Sequence, residues 1–451
     1  MSQAGDSTTA ASPEDIRTRF IEAALWHGNL ERAEAMLQAH PELAGSDIHT
    51  AAILGDDVAV RRFLALEPAS VHAKSPPYGG DALNYLGLSK YLRLDPARTP
   101  GFLRAATALL DAGADPNTGF WTTGQYPERE TALYGAAGVA HHPALTRLLL
   151  ERGADPTDEE VVYHSPEGRD LRAMQAVVET GKLAPDHLRL MLIRKHDWHD
   201  AAGVKWLLER GIDLNQKRER GWIPLHHAIE RGNDLEIIQL LLDHGADPAL
   251  AEDGLTAIAR AARLGRSDLL QEFERRGIPL ELHGVDRLLA SCARNDSAAI
   301  RALTQAEPAL KEQLLADGGT HLGKFATAGN TNGVRQLLDL GVPVNALYGG
   351  YGYFDIAPES TALHIAAWML CTPLLRLLLE RGAEVNRRDG KGRTPLALVV
   401  KGCVDSYWTE WRSTEPAQAL LDAGATLEGV KYPSGYVELD ELLRAHGIAE
   451  S

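Results

Sequence analysis

The stretch "LLLERGADP", Leu148 to Pro156, decides the fold, because close variants of it return along the chain. They are "LLDAGADPN" from Leu109, "LLERGIDLN" from Leu207, "LLLDHGADP" from Leu240 and "LLLERGAEVN" from Leu377. Each variant carries the same physical instructions. Paired leucines make the buried stripe of an amphipathic helix. A glycine then ends the helix in the left-handed conformation that a Cβ disfavours, and Asp-Pro or Asp-x-Asn makes a turn. The glycines that close these runs are Gly113, Gly153, Gly211, Gly245, Gly277, Gly341, Gly382 and Gly424, with Gly181 filling a gap, and they give a period near 33 residues.

A second phrase follows the turn: "IPLHHA" from Ile223, "TALHIA" from Thr361, "TALYGA" from Thr131 and "TPLALV" from Thr394. Thr131, Thr361 and Thr394 are placed to cap a helix, and Pro224 and Pro395 fit its first turn, where a missing N–H costs nothing. A short helix, a Gly/Asn/Asp turn such as "ERGND" at Glu230 to Asp234 and a leucine-rich outer helix complete the unit.

This order and period resemble the ankyrin repeat, whose hallmark is T-P-L-H-x-A in a unit of about 33 residues. The resemblance is strong over 101–157, 203–281 and 333–400. It is weaker over 14–80, 158–202 and 282–332, where the helix pair persists without the "TPLH" phrase, as in "HTAAILGDDVAVRRFLALEP" from His49. About twelve repeats are expected, covering nearly the whole chain after Ser12-Pro13. The fold class expected is an all-α, ankyrin-repeat solenoid of stacked helix pairs with projecting finger loops. One helix pair cannot bury its own apolar face, so the phrase must recur until neighbours bury it. The expected organisation is a disordered tail over 1–12 and a single continuous solenoid over 13–449. The polar pair near Ile16 to Leu37 and "LDELLRAHG" at Leu439 to Gly447 serve as caps.

Composition narrows the function classes. The 451 residues hold 46 Lys and Arg against 62 Asp and Glu, a formal charge of −16 with 24% charged residues. That balance argues against a nucleic-acid partner, which needs clustered cations to displace counterions. Cys292, Cys371 and Cys403 are too few and too scattered for a disulfide framework or a zinc site. No secretory leader and no long apolar run is evident, so a cytoplasmic protein without a membrane partner is expected. Arginine outnumbers lysine, which points to a GC-rich bacterial genome.

Candidate chemistry centres on "HDWHD", His196 to Asp200, which offers two imidazoles and two carboxylates, the ligand types of zinc or iron. Its register is that of an interhelix turn with Asp200 as cap, and the structural reading is preferred. His141 and His142 share that turn one unit earlier. His226, His227 and His364 sit in the "LH" phrase, where the resemblance implies hydrogen bonds to turn backbone. No hydrolase elbow, metalloprotease helix or phosphate loop occurs; "GGYGYFD" from Gly349 lacks the lysine and the setting of a phosphate cradle.

The departures from a plain repeat are two lengthened fingers, 118–130 and 346–360, holding Phe120, Trp121, Tyr126, Tyr348, Tyr351, Tyr353 and Phe354 in a chain with only 6% aromatics. Repeat insertions often lie on the binding face, and Tyr and Trp dominate interface hot spots. Either these rings fold back over their own loops and neighbouring helix ends, or they contact a partner. Further aromatic insertions follow Lys74 (with Tyr78) and Val404 (with Tyr407, Trp408 and Trp411), and Lys217, Arg218, Arg220, Arg387, Arg388, Lys391 and Arg393 make other finger turns basic.

With helices packed roughly 8 to 10 Å apart, the two long fingers stand on the order of 60 Å apart along the array, which suits an extended macromolecule better than one shared small-ligand pocket. The resulting expectation is a non-catalytic, monomeric scaffold without a cofactor or metal. Its concave, finger-bearing face binds another protein or extended peptide through Trp121, Tyr126, Tyr348, Tyr351 and Phe354, with Arg218, Trp222 and Arg388 as central contacts. The alternatives are a small-molecule or metal-dependent enzyme site near His196–Asp200 or the tyrosine-rich finger, and self-association.

Overall fold

A computed structural model describes residues 12–216, 222–406 and 409–448. The chain divides into two compact units between Pro224 and Leu225. Within each unit antiparallel helix pairs follow one another, and the only strands among the described residues form two short ribbons in the turns.

Helix pairs form where the sequence phrases place them. In the opening phrase the outer helix is Pro143–Glu151, with Leu145 and Leu149 fully buried. Gly153 closes it at φ 99°, its N–H donating to the Leu150 carbonyl and that of Ala154 to Leu149 at 2.9 Å. This double bond is the glycine-terminated helix stop. Every glycine that ends a leucine run has positive φ, from Gly113 (98°) to Gly424 (90°), Gly181 included. Thr131 and Thr394 accept hydrogen bonds from the backbones of Tyr134 and Ala397, as caps do. The turn between the two helices of a pair also takes a left-handed residue followed by the cap of the outer helix. Gly55, Gly265 and Gly329 serve as that residue in some pairs, and His141, His199, Leu370 and Asn295 adopt the same conformation, at φ 46°, 49°, 55° and 57°.

The repeated phrase also bonds to its own copies. Asn117 accepts from the Asp155 N–H (2.8 Å), Asn345 from Glu384 (2.9 Å) and Asn386 from Thr426 (2.8 Å), each joining one turn to the next along the chain. On the outer helices Arg152 meets Asp111 and Arg381 meets Asp339, both at 2.8 Å, and Arg276 meets Asp243 at 2.7 Å. Each such exposed pair is worth little by itself, but the set fixes register between neighbours. The imidazoles behave as the resemblance implied. His226 Nε2 lies 2.9 Å from the Leu250 carbonyl and His364 Nε2 2.9 Å from that of Arg387, 24 and 23 residues on.

His49 does the same in a stretch that lacks the full phrase, its Nε2 lying 2.8 Å from the Ala73 carbonyl, 24 residues on. The short helix Ile48–Ile53 is buried along its whole length, so 14–80 carries the same framework. A difference arises in 282–332, where an extra helix, Pro308–Ala316, follows the pair Val285–Ala293 and Ser297–Ala306. Earlier pairs carry only 3-10 turns at the equivalent place, Pro41–Gly45 and Pro68–His72. Proline starts all three, but "ALKEQLLA" continues with strong helix formers whereas the earlier stretches meet Gly45 and Ser70.

Candidate recognition surface

The first finger is a ribbon of Gly119–Trp121 against Arg129–Thr131, with Phe120 opposite Glu130 and Trp121 opposite Arg129. Alternation along a strand sends successive side chains to opposite faces, and the two aromatic neighbours part accordingly. Phe120 is 6% exposed and stacks on Tyr78 (5.2 Å between ring centres) beside Trp26 (5.6 Å). Trp121 is 65% exposed and Tyr126, in the loop between the strands, 79%. The loop is tied at its base by Thr122, whose N–H donates to the Glu128 carbonyl (2.9 Å) and whose hydroxyl accepts from the Glu128 N–H (2.8 Å).

Beside Trp121 lies a cavity of about 290 Å³. Its wall includes the carboxylates Glu128, Asp155, Asp158, Glu159 and Glu160 and a single cationic residue, Arg129, which donates to the Asn117 carbonyl at 2.8 Å. Glu130 is 2% exposed. Burial pushes its carboxyl up to about 7, and the neighbouring charges of Glu160 and Glu128 push in the same direction. One element further on, His164 lies between Glu160 (3.3 Å) and Glu167 (3.0 Å). Burial alone would lower the imidazole, but these carboxylates hold it at about 9.

The second finger is folded onto its own unit. Tyr348 is 9% exposed and covers Gly323, where a Cβ would come within 2.6 Å of the ring. The Tyr351 hydroxyl accepts from Arg231 at 3.0 Å and donates to the Glu230 carbonyl at 3.3 Å, a contact across 120 residues. The Arg231 guanidinium also lies over the Tyr353 ring at 4.2 Å. Phe354 packs so near Gly232 that a Cβ there would sit 3.2 Å from the ring, while the Phe354 carbonyl accepts from Trp368 Nε1 at 2.7 Å.

Next to it Asp355, at φ 53°, gathers Lys391, Arg393 (2.9 Å) and Lys401 (2.6 Å) on one carboxylate. Burial would raise that carboxyl, yet the hydrogen bonds from Lys391 and Lys401 and the Arg393 charge hold it well below the usual carboxylate range.

The expected contact residues are therefore distributed unevenly. Trp121 and Tyr126 stand in solvent, whereas Tyr348, Tyr351 and Phe354 are turned onto their own unit, the fold-back arrangement. Trp222 is 40% exposed just ahead of the helix Pro224–Glu230. Arg388 is committed to Glu428 (3.0 Å) and the Gly392 carbonyl (2.8 Å). Arg218, with Lys217 and Arg220, lies outside the described residues, as do Tyr407, Trp408 and the tail before Ser12. Trp26, Glu130, Arg231 and Asp355 were not singled out by sequence reasoning. A signal existed for Glu130, since pairing the finger as a ribbon puts it on the same face as Phe120.

At "HDWHD" the helix Pro185–Asp197 takes the first two residues, and His196 is buried within it. Asp200 caps the next helix through the Gly203 N–H (2.9 Å) and pairs with the buried Lys195 (2.6 Å). Among the described residues, no group of three or more His, Cys, Asp and Glu side chains is placed to hold a metal ion. Likewise no described helix is long and apolar enough to cross a membrane.

A family model described as ankyrin repeats (3 copies) matches residues 190–275 and 288–389, and these segments are similar to ankyrin repeats within an all-α framework of stacked helix pairs. Curated relatives include serine/threonine-protein kinase 12 of Arabidopsis thaliana, 40% identical over 84 residues, which are 19% of this chain and 17% of that protein. Human ankyrin repeat domain-containing protein 63 is 34% identical over 109 residues, 22% of this chain and 28% of the relative. The chain thus spans well under two thirds of these relatives' lengths, and neither comes from a bacterium, which leaves the bacterial-genome expectation without support. The ankyrin repeat domain of human ASB11 aligns with 59% of this chain and 98% of its own at 21% identity, with a TM-score of 0.24.

Proposed function

We propose that the chain is a non-catalytic recognition scaffold whose first finger grips another protein, with Trp121 and Tyr126 as its aromatic anchors. Ankyrin repeats typically mediate protein–protein interaction, and stacked repeats give such proteins extended surfaces. The observation that carries the reading is the exposure of Trp121 (65%) and Tyr126 (79%) on one finger, while on the other Tyr348 is buried and Tyr351, Tyr353 and Phe354 are half-buried. Large exposed rings beside polar neighbours are where interface energy concentrates.

In this reading Tyr348, Tyr351 and Phe354 keep the second finger in place, and Trp222, Arg388 and Arg218 stay as the proposed central contacts. The repeats, about twelve, run as one series over 13–449. Helix pairs and imidazole–carbonyl bonds outside the matched segments, such as that of His49, support this extent. A cytoplasmic, monomeric protein fits the three cysteines, none of which is in a disulfide.

Affinity capture from native lysate tests the reading. The wild-type chain is expected to retain a partner that the Trp121→Ser/Tyr126→Ser variant loses and that a Trp411→Ser variant, altered at another exposed ring, still retains. Equal retention by all three removes the first finger from recognition.

A further inference from the structure

Glu130 sits where a carboxylate is hard to keep charged. It shares a ribbon face with Phe120, it is more than nine-tenths buried, and its Oε2 has no hydrogen-bond partner among the described residues. Its backbone is tied instead, the carbonyl accepting from Asn84 Nδ2 at 2.8 Å. Glu128 lies two residues before it, the helix Glu159–His164 and its cap bring Asp158, Glu160 and His164, and the turn Ala132–Tyr134 brings the Tyr134 phenol. The helix Ala82–Gly87, packed on the strand, offers the uncharged Asn84, and its cap Asp81 is engaged by Lys74 (2.9 Å) and Thr118. Arg129 projects to the opposite face of the ribbon, with Trp121. Three carboxylates therefore stand against one imidazolium, and His164 is already shared by Glu160 (3.3 Å) and Glu167 (3.0 Å).

A buried carboxyl without a hydrogen bond is relieved either by keeping its proton or by moving out into water. The inner helices cannot make room, because a Cβ on Gly87 or Gly135 would already collide with backbone. The ribbon can yield: its strands are three residues each, and an isolated two-stranded ribbon is marginal in water. Burial first, and then the charges of Glu160 and Glu128, hold the Glu130 carboxyl at about 7 against 4.5 for an ordinary glutamate, with His164 pulling the other way.

We propose that the first finger is a pH-sensitive element worked by Glu130. With the carboxyl protonated, the strand Arg129–Thr131 lies closed on its unit and Phe120 stays stacked on Tyr78; when the proton is lost, the carboxylate draws the strand towards water, Phe120 leaves its stack and Trp121 loses its fixed position. The consequence for a partner rests on the recognition reading above, because a preorganised ring binds more tightly than a mobile one.

The closed ribbon holds this proton more tightly than an open one, so the closed form is favoured fully below about pH 4.5 and progressively less as pH rises towards 7. Hydrogen exchange of the segment 119–131 in the full chain, read by mass spectrometry and corrected for the intrinsic pH dependence of exchange, tests this. Wild-type protection is expected to fall by about tenfold or more between about pH 5.5 and pH 7.5, the change that one unit of proton linkage supplies. Glu130→Gln keeps the shape of the neutral acid and cannot ionise, so it should hold the protection seen at the acid end across the range. Partner capture that depends on Trp121 and Tyr126 should follow the same course, weaker at the alkaline end for the wild type and constant for the variant.

Wild-type protection that stays constant over this range overturns the proposal without recourse to any variant, and so does a fall of equal size in Glu130→Gln. Constant protection with capture that still depends on Trp121 and Tyr126 removes the switch and leaves the recognition reading standing. A fall confined to the wild type, with capture indifferent to Trp121 and Tyr126, upholds the switch and removes that reading.

Discussion

Gly135→Ala is expected to destabilise the first unit by about 3 kcal/mol or more, the upper range of overpacking changes. Gly135 lies in a helical turn packed against the short helix Ala82–Gly87. A Cβ there would come within 2.4 Å of the Gly87 carbonyl carbon and 2.8 Å of the Leu88 nitrogen. These are backbone atoms, so no flexible side chain can yield. The reverse contact is as close, since a Cβ on Gly87 would lie 2.5 Å from the Ala132 carbonyl oxygen.

The informative contrast is Gly113→Ala. Gly113 ends a leucine run at φ 98° with nothing near its missing Cβ, so that change meets only the left-handed backbone penalty of roughly 1 to 2 kcal/mol. Denaturant midpoints for the unfolding of the first unit measure both. A Gly135→Ala variant no less stable than Gly113→Ala would mean that the inner helices are not packed backbone to backbone.

Asp355→Asn is expected to cost about 1 to 2 kcal/mol in the second unit, because three cations lose the carboxylate they share while solvent screens part of the loss. Asparagine tolerates the left-handed conformation at φ 53°, so the substitution isolates the charge. Lys391, Arg393 and Lys401 lose their common carboxylate, and the finger they fasten should become cleavable by chymotrypsin at Tyr353 and Phe354.

The pH dependence has a definite sign. A carboxyl held lower in the folded than in the unfolded chain contributes stability that is complete above the unfolded value, near 3.8, and is lost as pH falls below it. The gap between wild type and variant should therefore be full at pH 7 and shrink in acid. A gap independent of pH between 7 and 2 would show that Asp355 acts through something other than its charge.

The framework was legible because the packing rules act locally. Leucines, a stop glycine and a capping threonine lie within a few residues of one another, and each works without regard to distant parts. His49 shows that legibility extends to the degenerate stretches, since its 24-residue reach to the Ala73 carbonyl is the same as that of His226 to Leu250. Both fingers were likewise visible as aromatic insertions, but their fates were not. Whether Tyr351 faces a partner or its own chain depends on Arg231 and Glu230, 120 residues earlier, and no periodicity reports such a meeting. Helix Pro308–Ala316 was missed for a different reason: its sequence has helix formers but no repeat phrase. Glu130 escaped notice because its burial accompanies ribbon pairing opposite Phe120, which no repeat phrase reports.

The central claim is that the first finger, open to solvent, recognises a protein while the second is fastened down. Placing a photo-crosslinking amino acid at Tyr126, and in a separate variant at the comparably exposed Val58 (74%) on the helix Asp57–Leu66, tests it most directly. Irradiation in native lysate should yield a discrete protein adduct from position 126 that position 58 does not give. No adduct at 126, or the same adducts from both positions, would contradict the account.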